Sequence, residues 1–204
     1  MRIFKKLYLI VVLNLIISLH SSFSQSWQWA RQAGGIITDT FSSGIDGGYG
    51  IAVDAFGNCY VTGYFEDSAV FDGIILLGSG SEDIFIAKYD VVGNILWAKQ
   101  AGGITFPWGD IGKGISVDSF SNCYITGYFT DSANFDSITI YAMGTTDIFV
   151  AKYDPTGNAL WAIRAGGTNL DYGNGICVDE LGNVFITGQF SGLSTFGSVD
   201  GNTD

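Results

Sequence analysis

Two stretches of this 204-residue chain, Asp83 to Gly103 (DIFIAKYDVVGNILWAKQAGG) and Asp147 to Gly167 (DIFVAKYDPTGNALWAIRAGG), are identical at 15 of 21 positions. Internal repetition constrains a fold more than composition does, because each copy buries its apolar faces against its neighbours. The copying extends further. Asp46-Gly-Gly-Tyr-Gly-Ile-Ala-Val-Asp54, Asp110-Ile-Gly-Lys-Gly-Ile-Ser-Val-Asp118 and Asp171-Tyr-Gly-Asn-Gly-Ile-Cys-Val-Asp179 form one set, spaced by 64 and then 61 residues. Each is followed by a second shared segment beginning at Cys59, Cys123 and Val184.

Every unit holds short runs rich in Ile, Val, Tyr, Phe and Thr, bounded by Gly, Asn and Asp, which read as strands. In the first unit they are A (Gly50 to Val53), B (Cys59 to Phe65), C (Ile84 to Tyr89) and D (Ile95 to Ala101). Strand C is apolar on both faces, with Ile84 and Ile86 on one and Phe85, Ala87 and Tyr89 on the other. A sheet with two apolar faces needs cover on both, which four-stranded propeller blades give each other. The Asp-x-x-Gly-Asn segments between A and B, and between C and D, read as type I turns with glycine at the positive-φ position. Ser121 takes that position in one copy, so strain is expected there.

The segments GIAVD, GN-x-YVTGYF, DIFVAKYD and GN-x-LWA together resemble the bacterial secreted β-propeller repeat, the SBBP repeat. The resemblance implies a propeller fold and a secreted or surface location, and it brings no shared catalytic residues. The expected class is all-β, with blades of four antiparallel strands forming a partial ring of about two and a half blades.

The expected organisation is a signal peptide at 1–24, an orphan outer strand for ring closure at 25–35, blades at 46–103 and 110–167, and an incomplete blade at 171–204. Arg2, Lys5 and Lys6 precede the apolar run Leu7 to Leu19, and Ser22-Phe23-Ser24 offers a small-x-small cleavage site. That run is too short to span a bilayer, so no membrane span is expected after cleavage. Trp27 to Gly35 matches only the D strand of later units, and the third unit stops after B. Further blades of the same chain are therefore expected beyond Asp204.

His20 lies inside the expected signal, so the mature chain is expected to have no histidine and no His-dependent triad or zinc site. With 6 basic against 20 acidic side chains left, binding to nucleic acid is disfavoured. Asp46, Asp110 and Asp171 would offer clustered oxygens to calcium, but D-x-G-x-G lacks the alternating ligands of a calcium loop and Asp favours turns anyway. No cofactor is expected. Cys59, Cys123 and Cys177 read as buried free thiols, and Trp29, Trp97 and Trp161 as core packing.

The D-to-A connections run to ten, six and three residues, and the long B-to-C connections differ in sequence, whereas the Asp-x-x-Gly-Asn turns are uniform. One face is then free to specialise, and Phe106 and Trp108 are its aromatic anchors. The expected function is a non-enzymatic, secreted or cell-surface scaffold that binds an extracellular protein or glycan. The alternative is part of a propeller-type polysaccharide hydrolase or lyase whose active site lies partly outside this stretch.

Overall fold

The computed structural model describes residues 28–35, 45–104 and 107–196. The expected signal peptide, Phe106 and residues 197–204 lie outside the described residues. The chain divides into two units, Met1–Ala30 and Arg31–Asp204. Every strand belongs to the second, and no helix occurs among the described residues.

The first sheet is antiparallel, in the order β1 (Gly47–Val53), β2 (Cys59–Phe71), β3 (Ile74–Tyr89), β4 (Ile95–Ala101). The second repeats it with β5 (Ile111–Val117), β6 (Cys123–Phe129), β9 (Asp147–Tyr153) and β10 (Ala159–Gly167). Register is copied with the sequence: Tyr60 faces Lys88, as Tyr124 faces Lys152 64 residues later. The third unit contributes β11 (Tyr172–Val178) paired with β12 (Val184–Gln189), and a short β13 (Ser194–Phe196). β13 does not stay within its own unit. It pairs with β10, making the second sheet five-stranded.

The apolar pattern of strand C is met by burial on both sides. One cluster joins Tyr60, Ile84, Ile86 and Trp97 of the first sheet to Ile115, Cys123, Ile125 and Phe149 of the second. Full burial of such side chains contributes roughly 1.5–3 kcal/mol each, so contact between sheets, more than pairing within them, stabilises the array. Thr62 and Thr126 are fully buried because each hydroxyl donates to a strand carbonyl, of Phe85 and Phe149 respectively, at 2.8 Å.

The turns form as expected. Asp54 Oδ1 accepts the N–H groups of Phe56 and Asn58, and the Asp90, Asp118, Asp154 and Asp179 turns repeat the pattern. Backbone bonding holds the exposed Asp90 carboxyl below its ordinary range, led by the N–H of Asn94. Ser121 sits at φ 63°, the strained position. Its compensation joins two blades: its hydroxyl donates to Asp54 at 3.0 Å, and its carbonyl accepts the Tyr60 hydroxyl at 3.0 Å. Pro155 continues the same face, its carbonyl accepting both Lys88 Nζ and Trp97 Nε1 at 3.1 Å. Turns of the second blade thus tie it to the first.

The structure corrects three expectations. The B-to-C connections are not open loops: β2 and β3 continue through a turn at Asp72-Gly73, and β7 (Ser132–Phe135) pairs with β8 (Ile138–Tyr141). The cause is apolar, because Phe71 and Phe135 are buried against Phe85 and Phe149 with centroids 5.1 Å apart. Cys177 is exposed, since no further sheet covers that side of β11 among the described residues, while Cys59 and Cys123 are buried free thiols. Trp97 is buried as expected, but Trp161 and Trp29 are only half-buried.

Candidate binding site

The three repeated aspartates hold the seams between blades. Asp110 accepts the N–H of Gly103, from the end of β4, at 2.7 Å and that of Thr130, after β6, at 2.9 Å. Asp171 does the same with Gly167 and Ser191, both at 2.7 Å. Asp46 repeats the arrangement with Gly35 at 2.6 Å and Glu66 at 3.3 Å. Both oxygens of each carboxylate therefore face backbone donors, a structural clasp rather than an open cation cradle. Among the described residues no group of three or more Asp, Glu, His or Cys stands together in a metal-holding arrangement. Gly35 stands in this scheme where Gly103 and Gly167 stand in the later copies. Gly34 bridges Val70 as Gly102 bridges Asn134, although only as an isolated bridge.

The seams of Asp110 and Asp171 each carry a second buried carboxylate, Asp83 and Asp147 respectively. A Cβ on Gly102 would lie 2.7 Å from Asp83 and 2.9 Å from Asp110, so only glycine passes between the two acids. Burial pushes the Asp110 carboxyl up to about 7 against the N–H groups of Thr130 and Gly103, and the charges of Asp83 and Glu82 add to the rise. In the next seam Arg164 donates to Asp147 at 3.0 Å, whereas the corresponding residue beside Asp83 is the neutral Gln100.

Opposite the turns, the D-to-A connection opens a cleft. It has a volume of about 320 Å³, and its walls include Glu82, Trp108, Ile111, Tyr128 and Tyr172, drawn from all three units. Trp108 is 63% exposed, so it stands at the opening instead of folding back as packing. Tyr128 and Tyr172 meet edge to face, with centroids 4.9 Å apart. Burial, followed by the negative charge of Glu82, pushes the Tyr128 hydroxyl up to about 12, so it remains a neutral donor near pH 7. Aromatic walls with a few convergent polar groups are the usual make-up of a ligand pocket.

The sequence reading missed the bulge positions, of which Lys113 reaches Tyr128 of the cleft wall. β1, β5 and β11 each carry a β-bulge at the same place, between Gly48 and Gly50, Gly112 and Gly114, and Gly173 and Gly175. The bulged residues are Tyr49, Lys113 and Asn174. A bulge re-aims its side chain, and the glycines on either side of Lys113 leave no room for one of their own: a Cβ on Gly112 would clash with the Thr62 hydroxyl, and one on Gly114 would lie 3.0 Å from the Gly175 Cα. Lys113 Nζ stands 3.5 Å over the Tyr49 ring centroid and 5.9 Å from that of Tyr128. The signal was present in the sequence as a variable residue between two invariant glycines in all three copies.

Stacked antiparallel sheets that share one register and interlock at each seam define a β-propeller repeat protein. Residues 96–136 and 160–189 match the SBBP beta-propeller repeat. Over 158 residues, 69% of its length, the chain is 28% identical to an uncharacterized WD repeat-containing protein of Acanthamoeba polyphaga mimivirus, covering 11% of that protein. Over 116 residues, 54% of its length, it is 26% identical to the regulatory protein FlaEY of Caulobacter vibrioides, covering 12% of it. The chain thus spans about a tenth of the length of these relatives. No helix among the described residues is long and apolar enough to cross a membrane.

Proposed function

We propose that this protein is an exported, non-enzymatic propeller scaffold that binds an extracellular protein or glycan at the aromatic cleft. The observation that carries the reading is the cleft itself, a concave site built from three units around the exposed Trp108. The division of labour between faces supports it. Turns and aspartate clasps are committed to joining blades, while cleft positions such as Glu82, which is Thr146 in the next unit, and Ile111, which is Tyr172, vary between copies. The non-enzymatic part rests on the repeated acids, whose carboxylates are engaged by backbone amides. Export rests on the basic and apolar pattern of the first 24 residues.

The test is a binding screen against glycan arrays and extracellular protein extracts, run with wild type and with Trp108→Ala. Loss of about tenfold or more in affinity for a captured ligand, with an unchanged melting temperature, is expected for a hot-spot tryptophan. Ligand binding that ignores Trp108→Ala places recognition elsewhere.

A further inference from the structure

The described cations are nearly all committed. Arg31 pairs with Asp72, Lys99 with Asp136, Lys152 with Asp118 and Arg164 with Asp147, and Lys88 donates to the Pro155 carbonyl. Lys113 stands apart. It is half-buried on β5, and among the described residues it contacts the faces of two tyrosine rings and no carboxylate or carbonyl oxygen. In a chain with 20 acidic and 9 basic side chains, an ammonium left without an anion beside a cleft is the feature that no packing role uses. Resting over the Tyr49 ring leaves the ammonium without the charged hydrogen-bond partner that the other described cations, Lys88 apart, possess.

Resting on the reading of the cleft as a binding site, we infer that Lys113, at the bulge of β5, sets its specificity by selecting a carboxylate-bearing sugar, an acidic glycan containing uronic acid. Three features favour a sugar over a protein surface. The site is concave and small, whereas stable protein interfaces bury on the order of 1,600 Å² over broad surfaces. Trp108 and the tyrosine pair offer ring faces to the apolar side of a pyranose. Glu82 and the Tyr128 hydroxyl supply an acceptor and a donor for sugar hydroxyls at the cleft wall, while Asn174 is exposed at its own bulge. Lys113 then supplies the one cation.

The probes are uronate tetrasaccharides (galacturonate, glucuronate and mannuronate) and their methyl esters, which keep the sugar skeleton and remove the charge. Calorimetric titration is expected to show at least one acid binding about tenfold or more tighter than its ester, with an affinity that falls as salt rises. Lys113→Met, which keeps the aliphatic stem, should bring acid and ester to equal affinity, and Lys113→Arg should restore the difference. Equal binding of acid and ester by wild type, lost in Trp108→Ala, overturns the carboxylate inference and leaves the cleft reading intact. Failure of every acid to bind also overturns it, and the screen with Trp108→Ala then decides the cleft reading separately. An unchanged melting temperature in Lys113→Met excludes a folding defect as the cause.

Discussion

Gln100→Arg tests the electrostatics of the seams by giving the first seam the counter-ion that Arg164 gives the second. In the wild-type protein Asp83 and Asp110 flank Gly102 without a cation, and Asp110 is 1% exposed. Its carboxyl titrates at about 7 in the fold against an ordinary 3.8. Between those values the folded state holds a proton that the unfolded chain has released, so stability falls as pH rises. Roughly three pH units at about 1.4 kcal/mol each correspond to a loss of about 4 kcal/mol between pH 4 and pH 7. The turn carboxylates, held below their ordinary range, act in the opposite sense and cancel when variant and wild type are compared at each pH. An arginine at position 100 should stabilise the protein by roughly 2 kcal/mol at pH 8 and by nothing measurable at pH 4. Urea unfolding followed by tryptophan fluorescence at both pH values measures the difference. Parallel stability curves for Gln100→Arg and wild type would refute the reasoning.

Gly102→Ala should cost more than about 2 kcal/mol, because φ is 137° and the new methyl meets two buried carboxylates; a cost under 1 kcal/mol in the same unfolding assay contradicts it. Ser121→Gly relieves about 1 kcal/mol of strain but loses the bond to Asp54, so a net loss of about 1 kcal/mol is expected, and a gain in stability argues against the inter-blade role. Thiol labelling of the native protein should modify Cys177 and spare Cys59 and Cys123 until unfolding; burial pushes the Cys123 thiol up to about 12. Uniform labelling of all three would mean that the sheets do not pack as described.

Repetition made the blades legible, since each strand and turn appears two or more times and the two-faced apolar pattern of DIFVAKYD demands a sheet on either side. Ser121 was legible as strain, but its bond to Asp54 was not, because the two residues lie in different blades. The B-to-C hairpins escaped for a related reason. Their first strands share Asp-Ser-Ala-x-Phe-Asp (Asp67 to Asp72, Asp131 to Asp136), but the hairpins depend on burial of Phe71 and Phe135 against Phe85 and Phe149 of strand C, contacts between residues distant in sequence. Asp46, Asp110 and Asp171 read as turn residues, with calcium the weaker alternative, and the amides that make them clasps come from distant segments that the local sequence does not show. At the cleft, Trp108 was legible as an aromatic insertion. Lys113 was not, because its meaning depends on a bulge and on the tyrosines of neighbouring strands.

Hydrogen exchange of the full chain with and without a uronate oligosaccharide tests the central claim, that one face joins the blades and the other recognises ligand. Protection confined to residues 107–114, 126–130 and 170–174, and absent from the turns at 54–58, 118–122 and 154–158, is the predicted result. Protection centred on those turns would contradict the account.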